Sequence, residues 1–372
     1  MSHLILHVGH GKTGTSFIQS LLSLNVKELN KLNIHYPYHK SFDEAQSGFI
    51  SSGNGVDLAN DGRIDFEEFD NLLFSNEGLF HALLEDNILE KKILSHCDKL
   101  SVILYTRNVL EMLISGWGQV VKRGGQSQSL NEYLTSVADP HHTRVLKWIE
   151  LSKEFNFDLY VRNYSRHKRD IFGSFSSTLC ELIKVKTDSF SEFAMPEFRV
   201  VNRSMTLAEY ALLQSANKID KRFGHALSDA FVNKIPILQS EVPHINKNIK
   251  EELAHKYEPI ITKINSHIDT SEAIVFESIY AENGDAPKEL SKAHLDIFSD
   301  IFFRFYRSNA MLEKEINTIR DIASKVESDD KELGYRDALA LMKIAHNKRP
   351  SGSFIKAKVE QWSELLKSLE NE

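Results

Sequence analysis

The sequence predicts an α/β fold: a parallel β-sheet flanked by helices, followed by a C-terminal helical appendage. Three observations carry this. Short apolar runs alternate with helical apolar stripes through the first half of the chain, which implies βαβ units. The first run, Leu4-Ile5-Leu6-His7-Val8, feeds a Gly-rich turn and then a helix. Near the C-terminus, two apolar stripes flank the turn Arg349-Pro350-Ser351-Gly352.

The helix after the first run has Phe17, Ile18, Leu21 and Leu22 on one face. Positions 39–64 are small and polar around Ser47-Gly48-Phe49-Ile50-Ser51-Ser52-Gly53-Asn54-Gly55 and read as an exposed loop. Asn71-Leu72-Leu73-Phe74-Ser75-Asn76-Glu77 reads as a buried strand with a polar end, and positions 79–97 as a helix. A strand at 100–106 precedes a helix at 109–123 carrying Leu110, Leu113, Ile114, Trp117, Val120 and Val121 on one stripe. Lys122-Arg123-Gly124-Gly125 ends that helix at glycine. Beyond Val200 the pattern is mostly helical. Ala338, Leu341, Met342 and Ala345 form one late stripe, and Ile355, Val359, Trp362, Leu366 and Leu369 another. They predict a helical hairpin within an appendage at 319–372, after a main domain at 1–318.

The turn Gly9-His10-Gly11-Lys12-Thr13-Gly14-Thr15-Ser16 is the chemical centre of the sequence. Glycines let the backbone approach an anion, the first N–H groups of a helix lack intrahelical partners, and Lys12 adds a full positive charge. A nucleotide loop of the form G-x-x-x-x-G-K-[ST] needs its first glycine at position 6, which is Leu6. An NTPase also needs an acid after a later strand to hold magnesium. Here Ser101-Val102-Ile103-Leu104-Tyr105-Thr106 delivers Arg107 instead, with Ser115 two turns into the next helix. An Arg fork and a hydroxyl so placed suit a second phosphate.

Lys12-Thr13-Gly14-Thr15-Ser16 resembles the 5′-phosphosulfate loop of PAPS-dependent sulfotransferases, and Thr106-Arg107-Asn108 with Ser115 resembles their 3′-phosphate motif. The resemblance extends through Lys31–Pro37, Leu159–Tyr164, Val201–Ser204 and Phe303–Asn309, so it covers roughly positions 1–318. The chain departs from the family at Gly11, where a Pro is common, and at Ser16, where a second Thr is usual. The Lys-Thr-His base motif and the C-terminal Arg-Lys-Gly of cytosolic members have no clear counterpart.

The resemblance implies PAPS as co-substrate, PAP as product, and a hydroxyl acceptor that is a small molecule or a glycan. It implies nucleotide contacts from Gly11, Lys12, Thr13, Gly14, Thr15, Ser16, Arg107 and Ser115. Tyr164 is expected to stack on adenine or pack in the core, and Arg162 to reach a phosphate or form a surface ion pair. Asn202 and Ser204 come in by resemblance alone. Lys12 is assigned the charge developing on the leaving phosphate. For the base that takes the acceptor's proton, Glu77 and His10 both stand open; Glu77 has the dipole of a following helix as its bland explanation. His7 alternates with apolar neighbours and reads as a core histidine. A P-loop kinase or NTPase, and a non-catalytic nucleotide-binding scaffold, remain the alternative functions.

Composition bounds the rest. The 372 residues are 41% hydrophobic and 26% charged, as in a globular protein, with a net charge of −7 that argues against broad nucleic-acid binding. Two cysteines, Cys97 and Cys180, make no disulfide framework. No apolar run is of membrane-spanning length, and the first strand begins almost at once, so a cytoplasmic protein without a signal peptide is expected. His141-His142 is a poor metal pair, because adjacent residues do not face one way, and no metal is expected. Oligomeric state is left open.

Overall fold

The computed structural model describes residues 2–47, 51, 53–55, 58, 64–66, 68–85, 87–137, 141–196, 203–238, 241–277, 289–309, 313–327 and 334–370. The chain divides into two compact units, Met1–Ala293 and His294–Glu372.

The first unit opens with β1 (His3–Gly9), α1 (Thr15–Leu24), α2 (Val26–Lys31), β2 (Ile34–His35), α3 (Phe42–Gln46) and β3 (Asn71–Ser75). Then come α4 (Leu79–Ala82), β4 (Lys99–Thr106), α5 (Val109–Lys122), α6 (Leu130–Ser136), α7 (His141–Glu154) and β5 (Asp158–Asn163). Helices α8 (Tyr164–His167), α9 (Ile171–Ile183), α10 (Leu207–Ile219), α11 (Lys221–Lys234) and α12 (Lys247–Asn265) complete it.

Among the described residues the sheet has five strands in the order β2-β3-β1-β4-β5. Every pairing is parallel: His3 aligns with Asn71 and with Lys99, and Ser101 aligns with Asp158. A parallel sheet needs both faces covered, which is why β1 is buried along its whole length. Ile5, Leu73, Ile103 and Tyr105 pack with Ile18, Leu21 and Leu22 of α1 and Phe175 and Leu179 of α9. Strand alternation sends Leu4, Leu6 and Val8, each fully buried, to the opposite face. The α/β fold read from the sequence is the fold observed.

Two expectations change. The helix expected at 79–97 is broken: among the described residues α4 ends at Ala82, and a π turn at Leu89–Ile93 and a 3₁₀ turn at Leu94–His96 follow. Asn87 between them has φ 57°, a left-handed conformation that asparagine tolerates and a continuing helix does not. The loop expected to be exposed at 39–64 is in part buried, at Ser51, Gly53 and Asn54. The cause is the shortness of β2, which pairs only with Asn71 and Leu72 of β3. Asn54 serves the rest of that edge. Its Nδ2 donates to the Leu73 carbonyl at 3.1 Å and its Oδ1 accepts from the Ser75 N–H at 2.6 Å. Gln19 Nε2 donates to the Ser75 carbonyl at 3.2 Å.

Helix α13 (Lys292–Asn309) starts two residues before the second unit, which holds the rest of it with α14 (Glu313–Ser324), α15 (Tyr335–Lys348) and α16 (Ser353–Glu370). The expected hairpin is α15 and α16, with Ala338, Met342 and Ala345 packed against Ile355 and Trp362. Helix α14 adds Ile316 and Ala323 to that core, so this unit begins before the 318/319 boundary drawn from the stripes. Among the described residues no helix is long and apolar enough to cross a membrane.

Candidate functional site

All paired strands run the same way, so the segments leaving β1, β3, β4 and β5 meet at one sheet edge. In open α/β sheets this carboxyl edge is where ligands sit. It gathers the loop at 10–14, Glu77, Arg107 and Tyr164.

The loop is held in an unusual shape. Lys12 has φ 73° and Gly14 φ 80°, both left-handed. Thr13 Oγ1 donates to the His10 carbonyl at 2.8 Å, and Arg107 Nη1 donates to the Lys12 carbonyl at 3.0 Å. A Cβ on Gly14 would lie 2.3 Å from Ile171 Cδ1 and 2.8 Å from Tyr164 Cε2, so this position needs glycine for space as well as for φ. Gly11 has no such constraint, and a Cβ there would meet only Glu77 Oε2 at 3.4 Å. Gly14 is also the N-cap of α1, where no side chain supplies a capping bond and the first turn contains no acid. The positive end of α1 is thus left uncompensated by its own sequence.

Lys12 is partly buried, and burial lowers its ammonium below the ordinary lysine value. Glu77 opposes that shift, while Arg123 and Arg107 add to it. Thr15, fully buried beside Ser16, donates its hydroxyl hydrogen bond to Glu77 Oε1. Glu77 therefore stands next to both Lys12 and the first turn of α1. Its neighbour Asn76 fixes the turn by accepting from the Gly78 N–H at 2.7 Å.

His10 is 1% exposed, and both ring nitrogens meet protein groups. Nδ1 faces the Gly11 carbonyl at 3.1 Å, and Nε2 lies 3.4 Å from Thr106 Oγ1. Only the tautomer protonated at Nδ1 satisfies both. Burial, with the charges of His141 and His142, holds its pKa well below the usual histidine value. His7 is a core residue: Nδ1 meets Ser75 Oγ at 2.7 Å, its ring is edge-on to Tyr105 and Phe175, and burial pushes its pKa down to about 3.

Arg107 is 6% exposed. Its Nη2 donates to Glu111 Oε2 at 3.3 Å, its Nε has no hydrogen-bond partner among the described residues, and its guanidinium lies 5.1 Å from the centre of the Tyr164 ring. Glu111 is a buried buttress that the sequence did not single out. It also accepts from Ser165 Oγ at 2.9 Å and pairs with Lys168 at 3.7 Å. His142, read from the sequence only as half of a poor metal pair, is a second brace, donating from Nε2 to the Arg107 carbonyl at 2.9 Å. Ser115 sits one turn beyond Glu111 on the same face of α5. Arg162 is taken up by Thr178 at 2.9 Å and Glu272 at 3.4 Å. Ser204 is exposed, and Asn202 lies outside the described residues. Among the described residues no group of three or more His, Cys, Asp or Glu side chains is placed to hold a metal ion.

Lys122 is the cation that sequence reasoning missed. It ends α5, is 5% exposed, and donates to the Arg203 carbonyl at 3.2 Å. Its charge and that of Lys12 repel each other. Its place on the polar face of α5, at Glu111, Ser115 and Lys122, was a legible signal. The Gly-rich stop beside it made it look like a helix end only.

No protein-family model matches the chain, and no curated protein matches it. Among solved structures, a sulfotransferase from Alicyclobacillus acidocaldarius is similar at 15% identity with a TM-score of 0.35, over 72% of this chain and 96% of that one.

Proposed function

We propose that this chain transfers a sulfuryl group from PAPS to a hydroxyl acceptor, a small molecule or a glycan. The observation that supports the reading best is the uncapped N-terminus of α1, with Lys12 and Glu77 beside it and Arg107 at the same sheet edge. That edge offers a cation and the first N–H groups of α1 to one phosphate, and a second, separate cation to another.

The donor supplies the sulfur: the acceptor oxygen bonds to it, its bond to the 5′-phosphate oxygen breaks, and PAP leaves. The chain's own residues do the rest. Lys12 neutralises negative charge at the leaving end. Backbone N–H groups from Gly11 to Ser16 and the hydroxyls of Thr13, Thr15 and Ser16 orient that end. Arg107 and Ser115 hold the 3′-phosphate, Tyr164 packs against the nucleotide's base, and Asn202 and Ser204 complete its contacts. Glu77 takes the proton that the acceptor hydroxyl gives up. His10 is the weaker base, because both its nitrogens are engaged and its surroundings disfavour the imidazolium.

A thermal-melt titration tests the reading. PAP is expected to raise the melting temperature in EDTA, and ATP to do so far less. Stabilisation by ATP that equals that of PAP and depends on magnesium would assign the chain to the kinase and NTPase class.

A further inference from the structure

Glu77 leaves the end of β3 on a turn that is tied to two other parts of the chain. The Asn76 N–H donates to the His7 carbonyl at 3.1 Å, which carries the β3–β1 pairing one residue past Ser75. Asn76 Oδ1 accepts from the Gly78 N–H at 2.7 Å, across Glu77. Asn76 Nδ2 donates to the carbonyl of Asn54, 22 residues upstream, at 3.0 Å. Asn54 grips β3 itself through the Leu73 carbonyl and the Ser75 N–H. Asn54 is 2% exposed and Asn76 6%, so these bonds are shielded from water.

The segment around Asn54 comes this close because of Gly53. Its φ is 72°, and a Cβ there would overlap the Ser75 carbonyl oxygen and Gln19 Nε2. Its N–H donates to Ser51 Oγ at 2.9 Å, which fixes the bend. Gln19 belongs to α1, and from the first turn of the same helix Thr15 donates its hydroxyl hydrogen bond to Glu77 Oε1. One buried segment therefore braces both the turn that carries the carboxylate and the helix that the carboxylate meets. A polar turn needs only the bond from Asn76 to Gly78 to close. The further bond to Asn54 locks the Asn76 amide, and with it the direction in which Glu77 leaves the strand.

We propose that Asn54 and Asn76 are positioning residues for the Glu77 carboxylate, a clamp that holds it against the first turn of α1 where the acceptor's proton is taken. The inference deepens the proposed transfer and rests on it. The clamp acts through Glu77, so its loss is felt in turnover and not in donor binding.

The test compares wild type with Asn76→Ala, which removes both amide bonds, and with Asn76→Ser, which keeps an acceptor for the Gly78 N–H and is too short to reach the Asn54 carbonyl. The readouts are PAP affinity by calorimetry and release of PAP from PAPS with water as the acceptor. In that reaction the water oxygen bonds to sulfur, the bond from sulfur to the 5′-phosphate oxygen breaks, and a water proton passes to Glu77. Asn76→Ala should lower kcat about ten- to a hundredfold, as for a misplaced reacting group, with PAP affinity within about twofold of wild type. In a Glu77→Gln background Asn76→Ala should cost no further activity, because the group it positions is already gone. Glu77→Gln also identifies, by its absence, the Glu77 carboxyl signal in carbon NMR of glutamate-labelled protein, and that signal should move in Asn76→Ala. If Asn76→Ala fails to fold, Asn76→Ser carries the same comparisons with a smaller fall. An unmoved signal, or an equal fractional fall with and without the Glu77 carboxylate, overturns the clamp while leaving the donor reading intact. A wild type that fails to bind PAP, or to release it from PAPS, overturns the transfer reading and the clamp's role together.

Discussion

At the scale of the residue, the site joins groups that act to groups that brace. Glu77 has a hydroxyl partner and a nearby ammonium, while His10 has both nitrogens filled. Glu77→Gln should therefore lower sulfuryl transfer about a hundredfold or more with PAP affinity nearly unchanged, as for a lost general base. His10→Ala should act mainly on stability. Full activity in Glu77→Gln, with activity abolished and PAP binding intact in His10→Ala, would move the base to His10. Arg107 is a harder residue to probe than its sequence position suggests. Removing it withdraws a partner from the buried Glu111 carboxylate, so Arg107→Ala should cost stability as well as binding. The nucleotide role is separable: PAP should lose about ten- to a hundredfold in affinity, and a ligand without the 3′-phosphate much less. Equal losses for both ligands would make Arg107 a brace alone.

At the scale of the element, the loop between β1 and α1 is shaped by backbone conformation and by the ring that leans on it. Gly14→Ala places a methyl against Ile171 and Tyr164 at a φ of 80°. It should cost about 1–2 kcal/mol or more in urea denaturation and weaken PAP at least tenfold. Gly11→Ala meets only the flexible end of Glu77 and should change stability by less than about 0.5 kcal/mol. If the two variants behaved alike, the left-handed turn at Gly14 would not be what forms the cradle. The same logic of position explains the β3 edge. A two-residue β2 leaves Leu73 and Ser75 unpaired, and Asn54 and Gln19 supply the missing partners.

At the scale of the whole molecule, burying β1 on both faces and the start of the loop after it buries His7 and His10 in neutral form. His7 is held down to about pKa 3, and His10 well below the ordinary value. In the unfolded chain each takes a proton below about pH 6.5, and in the folded chain His7 does so only near pH 3. Acid therefore favours the unfolded state across that window, by up to about 1.4 kcal/mol per pH unit for each such group. His7→Phe keeps an aromatic ring against Tyr105 and Phe175 and removes one proton from the balance. Urea midpoints between pH 6.5 and 5 should fall less steeply for His7→Phe than for wild type. Parallel slopes would mean that His7 is protonated in the fold. Lys122 acts in the opposite range. Its folded pKa lies below its unfolded one, so its contribution should make stability rise from about pH 7 toward 10.

The α/β class, the strand–loop–helix at Leu4–Leu22, the strand that delivers Arg107, and the hairpin around Met342 and Trp362 are legible in the order of the residues. Those follow from local periodicity, glycine spacing and helix-terminus chemistry, all of which act over a few residues. The break of the expected helix at Asn87 was also local, but a left-handed asparagine inside an apolar pattern is visible only in the backbone. Tertiary structure alone decided the burial of Asn54, which depends on how short β2 turned out to be. It alone set Glu77 against Thr15, and Arg107 against the Lys12 carbonyl. These are contacts between segments far apart in the chain, and the charge and protonation of each group depend on which neighbours the fold brings within a few ångströms and how much water it removes.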